Sequence, residues 1–236
     1  MLLRKFSAPK TFYPLAGKLM PWFFWTFAVL GAVGLYWGLV LAPVDAVQGQ
    51  AYRIMYVHVP SAWMSMMIYT SMTAAAIAAL IWRTKVAELW LLCSPALGAS
   101  FTFITLVTGS LWGKPMWGVY WVWDARLTSE LVLLFIYFAI LAMKSAIPDR
   151  RKAARVMAMI TVVGFVNIPI IKFSVDWWTT LHQGDSIFRK GGPSIAPSML
   201  IPLFMTALSF TSYYFWLVLK RIRTMIEKTE NERKTA

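Results

Sequence analysis

Six stretches of this chain run for about twenty residues each with almost no charge, and they leave little choice of fold. They are expected at about 22–42, 62–82, 89–110, 129–143 (extending to 147), 154–175 and 197–219, each near the ~20 residues that carry a helix across a bilayer. In hydrocarbon, every backbone N–H and C=O must be satisfied within the segment, so runs of this length are helices. The expected fold class is all-α: a polytopic membrane protein with six transmembrane helices, forming a single integral membrane domain over 1–236. With 59% hydrophobic residues, 14% charged residues and a mean hydropathy of +0.60, the composition excludes an ordinary soluble domain. The first run is too long for the apolar core of a signal peptide and lacks a small-residue cleavage site, so it reads as a retained helix. Residues 1–21, interrupted by Pro9, Pro14 and Pro21, read as a basic, mostly irregular lead-in.

Six spans put both termini on one side, and the cations decide which. Lys and Arg number 17 in the N-terminal segment, the 83–85 turn, the 144–155 turn and the tail, against 6 in the other three segments. That bias predicts cytoplasmic termini, with the segments at approximately 43–61, 111–128 and 174–196 on the outer face. The formal charge of +13 would suggest nucleic acid as a partner in a soluble protein. Here topology accounts for it, so membrane lipid is the expected surround and nucleic acid is not an expected partner. The basic tail from 220 to 236 reads as a topology determinant.

The middle outer segment carries the densest signal. Between Trp112 and Trp123 lie four of the thirteen tryptophans, punctuated by Gly113, Pro115 and Gly118 and closed by Asp124 and Arg126. Two readings are open: a shelf for a large flat apolar ligand, or the aromatic belt found at any membrane interface. The glycines and the proline argue against a regular helix before residue 119. Beyond it, a helix would put Trp117 and Trp121 on one face, whereas an extended chain would put Trp121 and Trp123 together. Asp124 has three expected uses: pairing with Arg126, fixing an indole N–H, or accepting from backbone N–H groups at a helix start. Glu130 has only the last.

The chain has two histidines, His58 and His182, and both fall in outer segments. Two imidazoles facing the same compartment as an indole cluster suit the axial positions of a haem iron. Arg126, Lys114, Arg53 and Lys190 are the cations available to its propionates, and bidentate geometry favours Arg126. Cys93 is the single cysteine, which excludes an internal disulfide, a CxxC pair and a thiolate zinc site. The span centres carry no Asp, Glu, Lys, Arg or His, unlike those of coupled transporters. No phosphate-binding loop and no nucleophile–base constellation is present, so no enzyme is expected.

These motifs have a family. WGVYWVWDARLTS at 117–129 resembles the WWD signature of the haem-handling proteins of cytochrome c biogenesis. MYVHVPSAW at 55–63 and NIPIIKFSVDWWTTLHQ at 167–183 resemble its cytochrome c maturation protein C branch (CcmC), which also has six spans. The resemblance implies that haem b is held as transient cargo at the periplasmic face of the bacterial inner membrane, with His58 and His182 as axial ligands. It implies that Trp117, Trp121, Trp123 and Asp124 form the haem platform, beside Arg126. It further implies delivery to the haem chaperone, maturation protein E (CcmE), alongside the small membrane protein CcmD and the ABC transporter CcmA/CcmB. Two other functions compete. A haem-export channel through the bundle calls for a polar path at mid-depth, and the sequence shows none. An electron-transfer cytochrome usually carries its ligands inside the spans.

Overall fold

The structure is a computed structural model and describes residues 8–182, 184, 186–187 and 191–235. Among these residues no strand forms, and eight α-helices build six stretches long and apolar enough to cross a membrane. Helix α1 (Pro9–Tyr36) ends in a widened π turn, Trp37–Leu41. A 3₁₀ turn, Gln50–Ile54, leads into α2 (Met55–Trp82). The third span is two helices, α3 (Lys85–Cys93) and α4 (Pro95–Trp117), broken at Ser94 because Pro95 has no N–H to continue the ladder. Helix α5 (Ala125–Ala146) is the fourth, α6 (Arg150–Gly164) with α7 (Asn167–Trp177) the fifth, and α8 (Pro197–Thr235) the sixth.

Of the expected irregular lead-in, residues 1–7 lie outside the described residues, and the rest from Pro9 is helix. Helix begins at Pro9, where a missing N–H costs nothing, and it continues through Pro14 and Pro21 because α1 lies along α8. Tyr13 donates to Glu227, the Arg223 guanidinium sits 4.0 Å from the Tyr13 ring centroid, and Ser209 donates to the Phe27 carbonyl at 2.9 Å. These pairs run antiparallel, so residues near both termini lie at one end of the bundle. The tail is also helical, since those contacts extend α8 well past its apolar part.

Helix α2 is central, packing on α3, α4, α6 and α8. Lipid gives helices no hydrophobic reason to associate, so close packing and interhelical hydrogen bonds hold the bundle. Gly98 admits Tyr137 so closely that a Cβ would stand 2.1 Å from its ring. Tyr137 donates to the Ser65 carbonyl (2.9 Å), and Tyr69 to that of Thr161 (3.1 Å). The Tyr214 hydroxyl joins Ser71 at 2.8 Å and Ser94 at 3.1 Å, tying α8 to α2 and to the break in the third span. Asn167 donates to the Ser129 carbonyl at 2.9 Å, so the polar interruption of the fifth span serves packing against α5. The helix ends opposite the termini spread around a cavity.

Candidate functional site

The first wall of that cavity is built by backbone capping. Asp45 accepts from the N–H groups of Val47 (2.9 Å) and Gln48 (2.7 Å), closing a turn after the π segment. Arg53 then clamps that segment, donating to the carbonyls of Gly38 (3.1 Å) and Ala42 (2.8 Å) and to Gln50 (2.6 Å). This starts α2 at Met55, seven residues before the expected start of the second span. His58 therefore stands in the first turn of a spanning helix and not in a loop, with Pro60 tolerated near the helix start. Ligands inside spans mark many membrane cytochromes, so the loop position can no longer be held against that alternative. Gly109 on α4 makes room for the imidazole: a Cβ there would lie 2.9 Å from His58 Cε1.

The tryptophan stretch folds in two halves. Contrary to the sequence expectation, α4 runs through Gly113 and Pro115 to Trp117. Pro115 removes only one hydrogen bond in the last turn, and the helix ends at Gly118, whose φ of 79° is the left-handed conformation that closes helices. Beyond it the chain is irregular, and Trp121 meets Trp123 edge-on at 5.4 Å. Asp124 then N-caps α5, its Oδ1 accepting from the Leu127 N–H at 2.8 Å. Its Oδ2 accepts from His182 Nδ1 at 2.9 Å.

The two imidazoles are held alike. A carboxylate can only accept, so Nδ1 of His182 carries the proton. The Thr108 hydroxyl donates to the Ile104 carbonyl at 2.6 Å, which leaves its lone pair for His58 Nδ1–H at 3.0 Å. In both rings Nδ1 is engaged, and Nε2 has no hydrogen bond among the described residues. Metal-ligating histidines are oriented in this way, with the second nitrogen fixed by an outer partner. Each ring also has an indole at its edge: Trp117 lies 4.8 Å from His182, and Trp112 lies 5.6 Å from His58. Burial holds the His182 pKa below its ordinary value despite the Asp124 carboxylate, with Arg126 adding to the depression.

Both histidines line one cavity of about 970 Å³, near the upper end of the ~300–1,000 Å³ usual for small-molecule sites. Trp117, Trp112, Arg126 and Lys172 share its wall, as do Met55, Met66, Met116 and Met199. Trp121, Trp123 and Asp124 do not line it. Trp121 packs against the core, Trp123 is 77% exposed, and Asp124 stands behind His182. Among the four cations considered for carboxylate binding, Arg53 is committed to backbone carbonyls and Lys114 to the Gly118 carbonyl at 2.9 Å. Lys190 lies outside the described residues. The Arg126 guanidinium belongs to the cavity wall and makes no hydrogen bond among them, and it is close enough to His182 to act on its charge.

Sequence reasoning missed Trp112, which donates to Gln48 at 3.0 Å, and Thr108, four residues before it on α4. Helical spacing would have linked these two had α4 been extended past residue 110. Glu130 was read as an acid at a helix start and is instead 5% exposed, with one carboxylate oxygen unpartnered.

A family model described as Heme exporter protein C matches residues 2–236. The chain belongs to that family. A Haemophilus influenzae member, Heme exporter protein C, is 48% identical over 98% of this chain and 94% of its own length. The Bradyrhizobium diazoefficiens member is 46% identical over 96% of this chain and 86% of its own length. A Marchantia polymorpha relative, a putative cytochrome c biosynthesis ccmC-like mitochondrial protein, is 46% identical over 82% of this chain and 83% of its own length. Within the Heme exporter protein C family, then, this chain is a multi-pass membrane protein whose two histidines and Trp117 meet at one cavity.

Proposed function

We propose that this protein binds haem in the cavity between His58 and His182 at the periplasmic face of the inner membrane. It presents that haem to the maturation chaperone, CcmE, for cytochrome c biogenesis. The observation that carries this reading is the matched pair of imidazoles, each fixed at Nδ1 and uncommitted at Nε2, on the wall of one cavity. A metal-ion cage needs more: no cluster of three or more His, Cys, Asp or Glu side chains suited to an ion occurs among the described residues. Two imidazoles suit an iron whose equatorial positions are already filled by a macrocycle.

The remaining residues divide the work of holding such a cargo. Trp117 and Trp112 give aromatic edge and face, the methionines conform to an apolar disc, and Arg126 and Lys172 offer cations to its carboxylates. Exposed Trp123, joined to Trp121, provides a surface for the chaperone. The work is binding and delivery, with no covalent catalysis by this chain, and CcmD, CcmA and CcmB act as its membrane partners.

Haem content per purified protein tests this. The expected order is wild type, then His58→Gly or His182→Gly, then the double variant, and free imidazole restores a six-coordinate spectrum to each single variant. A double variant with unchanged haem content and spectrum would overturn the axial assignment. Trp121→Ala and Trp123→Ala are expected to retain haem in the carrier while lowering its appearance on the chaperone. Equal transfer per molecule would return these indoles to the interfacial belt.

A further inference from the structure

At the end of the bundle away from the histidines, α2, α3 and α6 enclose a second cavity, of about 310 Å³. His58 and Arg83 are near opposite ends of α2, about 38 Å apart at 1.5 Å per residue. Four cations line this cavity, Arg83, Lys85, Arg151 and Arg155, against one carboxylate, Glu88. Its floor is Leu80 and small alanines.

The positive-inside bias explains why cations are at this end, but it does not explain why these four converge. Their neighbours show the contrast. Lys144 donates to the Leu92 carbonyl (2.7 Å), Arg221 to that of Cys93 (3.2 Å) and Arg150 to Thr229 (2.8 Å), while Lys220 lies over the Trp216 ring. Those cations have uses within the protein. The side chains of Arg83, Lys85, Arg151 and Arg155 make no hydrogen bond and no ion pair within 4 Å among the described residues, although Arg151 and Lys85 are near enough to Glu88 to interact with its charge. Arg83 is held at φ 50°, the only non-glycine described residue at positive φ. The chain is thus folded back sharply where the α2–α3 link closes the cavity. The N-cap of α3, Thr84, makes no side-chain bond, so the first N–H groups of that helix add positive potential at the same place.

We propose that this cavity binds the phosphate of an anionic phospholipid headgroup. Charge complementarity selects an anion, and the cavity has room for a headgroup phosphate at the low end of ligand sites. Its setting selects a lipid as the source. Along the same two helices, α2 exposes Ile77, Ile81 and Trp82 beside its cavity residues, and α6 exposes Met159, Val162 and Val163 in the turns beyond its own. Acyl chains lying along these faces hold their headgroup at the level of the cations, where basic pockets between spanning helices bind anionic lipid.

Lipid retained by the full-length protein in native mass spectrometry tests this, after exchange into mixed phosphatidylglycerol and phosphatidylcholine. Wild type is expected to keep phosphatidylglycerol selectively. Arg151→Gln/Arg155→Gln should lower that retention about tenfold or more. The control Lys228→Gln/Lys234→Gln removes the same charge from exposed positions on α8 and should leave it unchanged. Lys85→Gln, at the start of α3, gives a milder second variant, expected to fall between wild type and the double variant. Equal loss in the control and cavity variants would reduce the effect to net charge and overturn the site. Displacement of the lipid by millimolar inorganic phosphate would overturn the lipid source, and unchanged retention in both cavity variants would overturn the proposal.

Discussion

At Asp124 one carboxylate serves two neighbours, capping α5 through Oδ1 and fixing His182 through Oδ2. Two substitutions separate these roles. Asn caps a helix about as well as Asp, whereas Ala costs about 1 kcal/mol. Asp124→Asn is therefore expected to keep thermal stability near wild type while loosening His182, and Asp124→Ala to lose both. The carboxylate raises the His182 pKa against the larger effect of burial, so Asp124→Asn should lower that pKa further, as read by NMR titration of the ring. A rise would show that the contact is incidental. The sign for stability follows. A histidine depressed in the folded state takes up its proton first in the unfolded chain. Its contribution is thus level above about pH 6.5 and erodes as pH falls below that value. The same depression keeps the imidazole neutral, and able to ligate, to lower pH than an ordinary histidine.

At the scale of elements, the end of α4 sets the site. Two turns past the expected boundary, the helix carries Trp112 to His58 and Trp117 to His182. Gly118 ends it at φ 79°, where any side chain with a Cβ is strained by about 1 kcal/mol or more. Gly118→Ala has open space around it, so its effect is purely conformational. The expected outcome is faster amide hydrogen exchange over residues 114–118 and lower haem content, with the other helices unchanged. Wild-type exchange and haem content together would show that the cap does not position Trp117. Pro115 misled the sequence reading because a proline in the last turn removes one bond of a ladder that is ending anyway.

The proposed orientation of the whole molecule rests on its charges. From the 17-to-6 distribution of Lys and Arg, the histidine cavity is expected on the periplasmic side and the basic cavity on the cytoplasmic side. Cys93 is buried, so single cysteines introduced on the surface report cleanly. Cysteines at Gln50 and Tyr120 are expected to react with an impermeant maleimide added to intact spheroplasts, and those at Arg150 and Glu230 only after permeabilisation. The reverse pattern would turn the molecule over and remove the periplasmic chaperone from the reading.

The sequence by itself determined the six spans, because a chain with runs of about twenty apolar residues satisfies its backbone in lipid only as helices. It also singled out His58, His182 and the tryptophan stretch, because rare and chemically specific side chains stand out against an apolar background. It did not determine how these residues meet. That His58 rides on α2, that Thr108 and Asp124 fix the two rings, and that Trp112 joins the cavity while Trp121 turns to the core all depend on contacts between distant segments. The four converging cations at the other end are likewise split between the α2–α3 link and α6. Span positions follow from local hydropathy, whereas the sites depend on which helix faces pack together, and in lipid that choice rests on shape and hydrogen bonds that no single segment records.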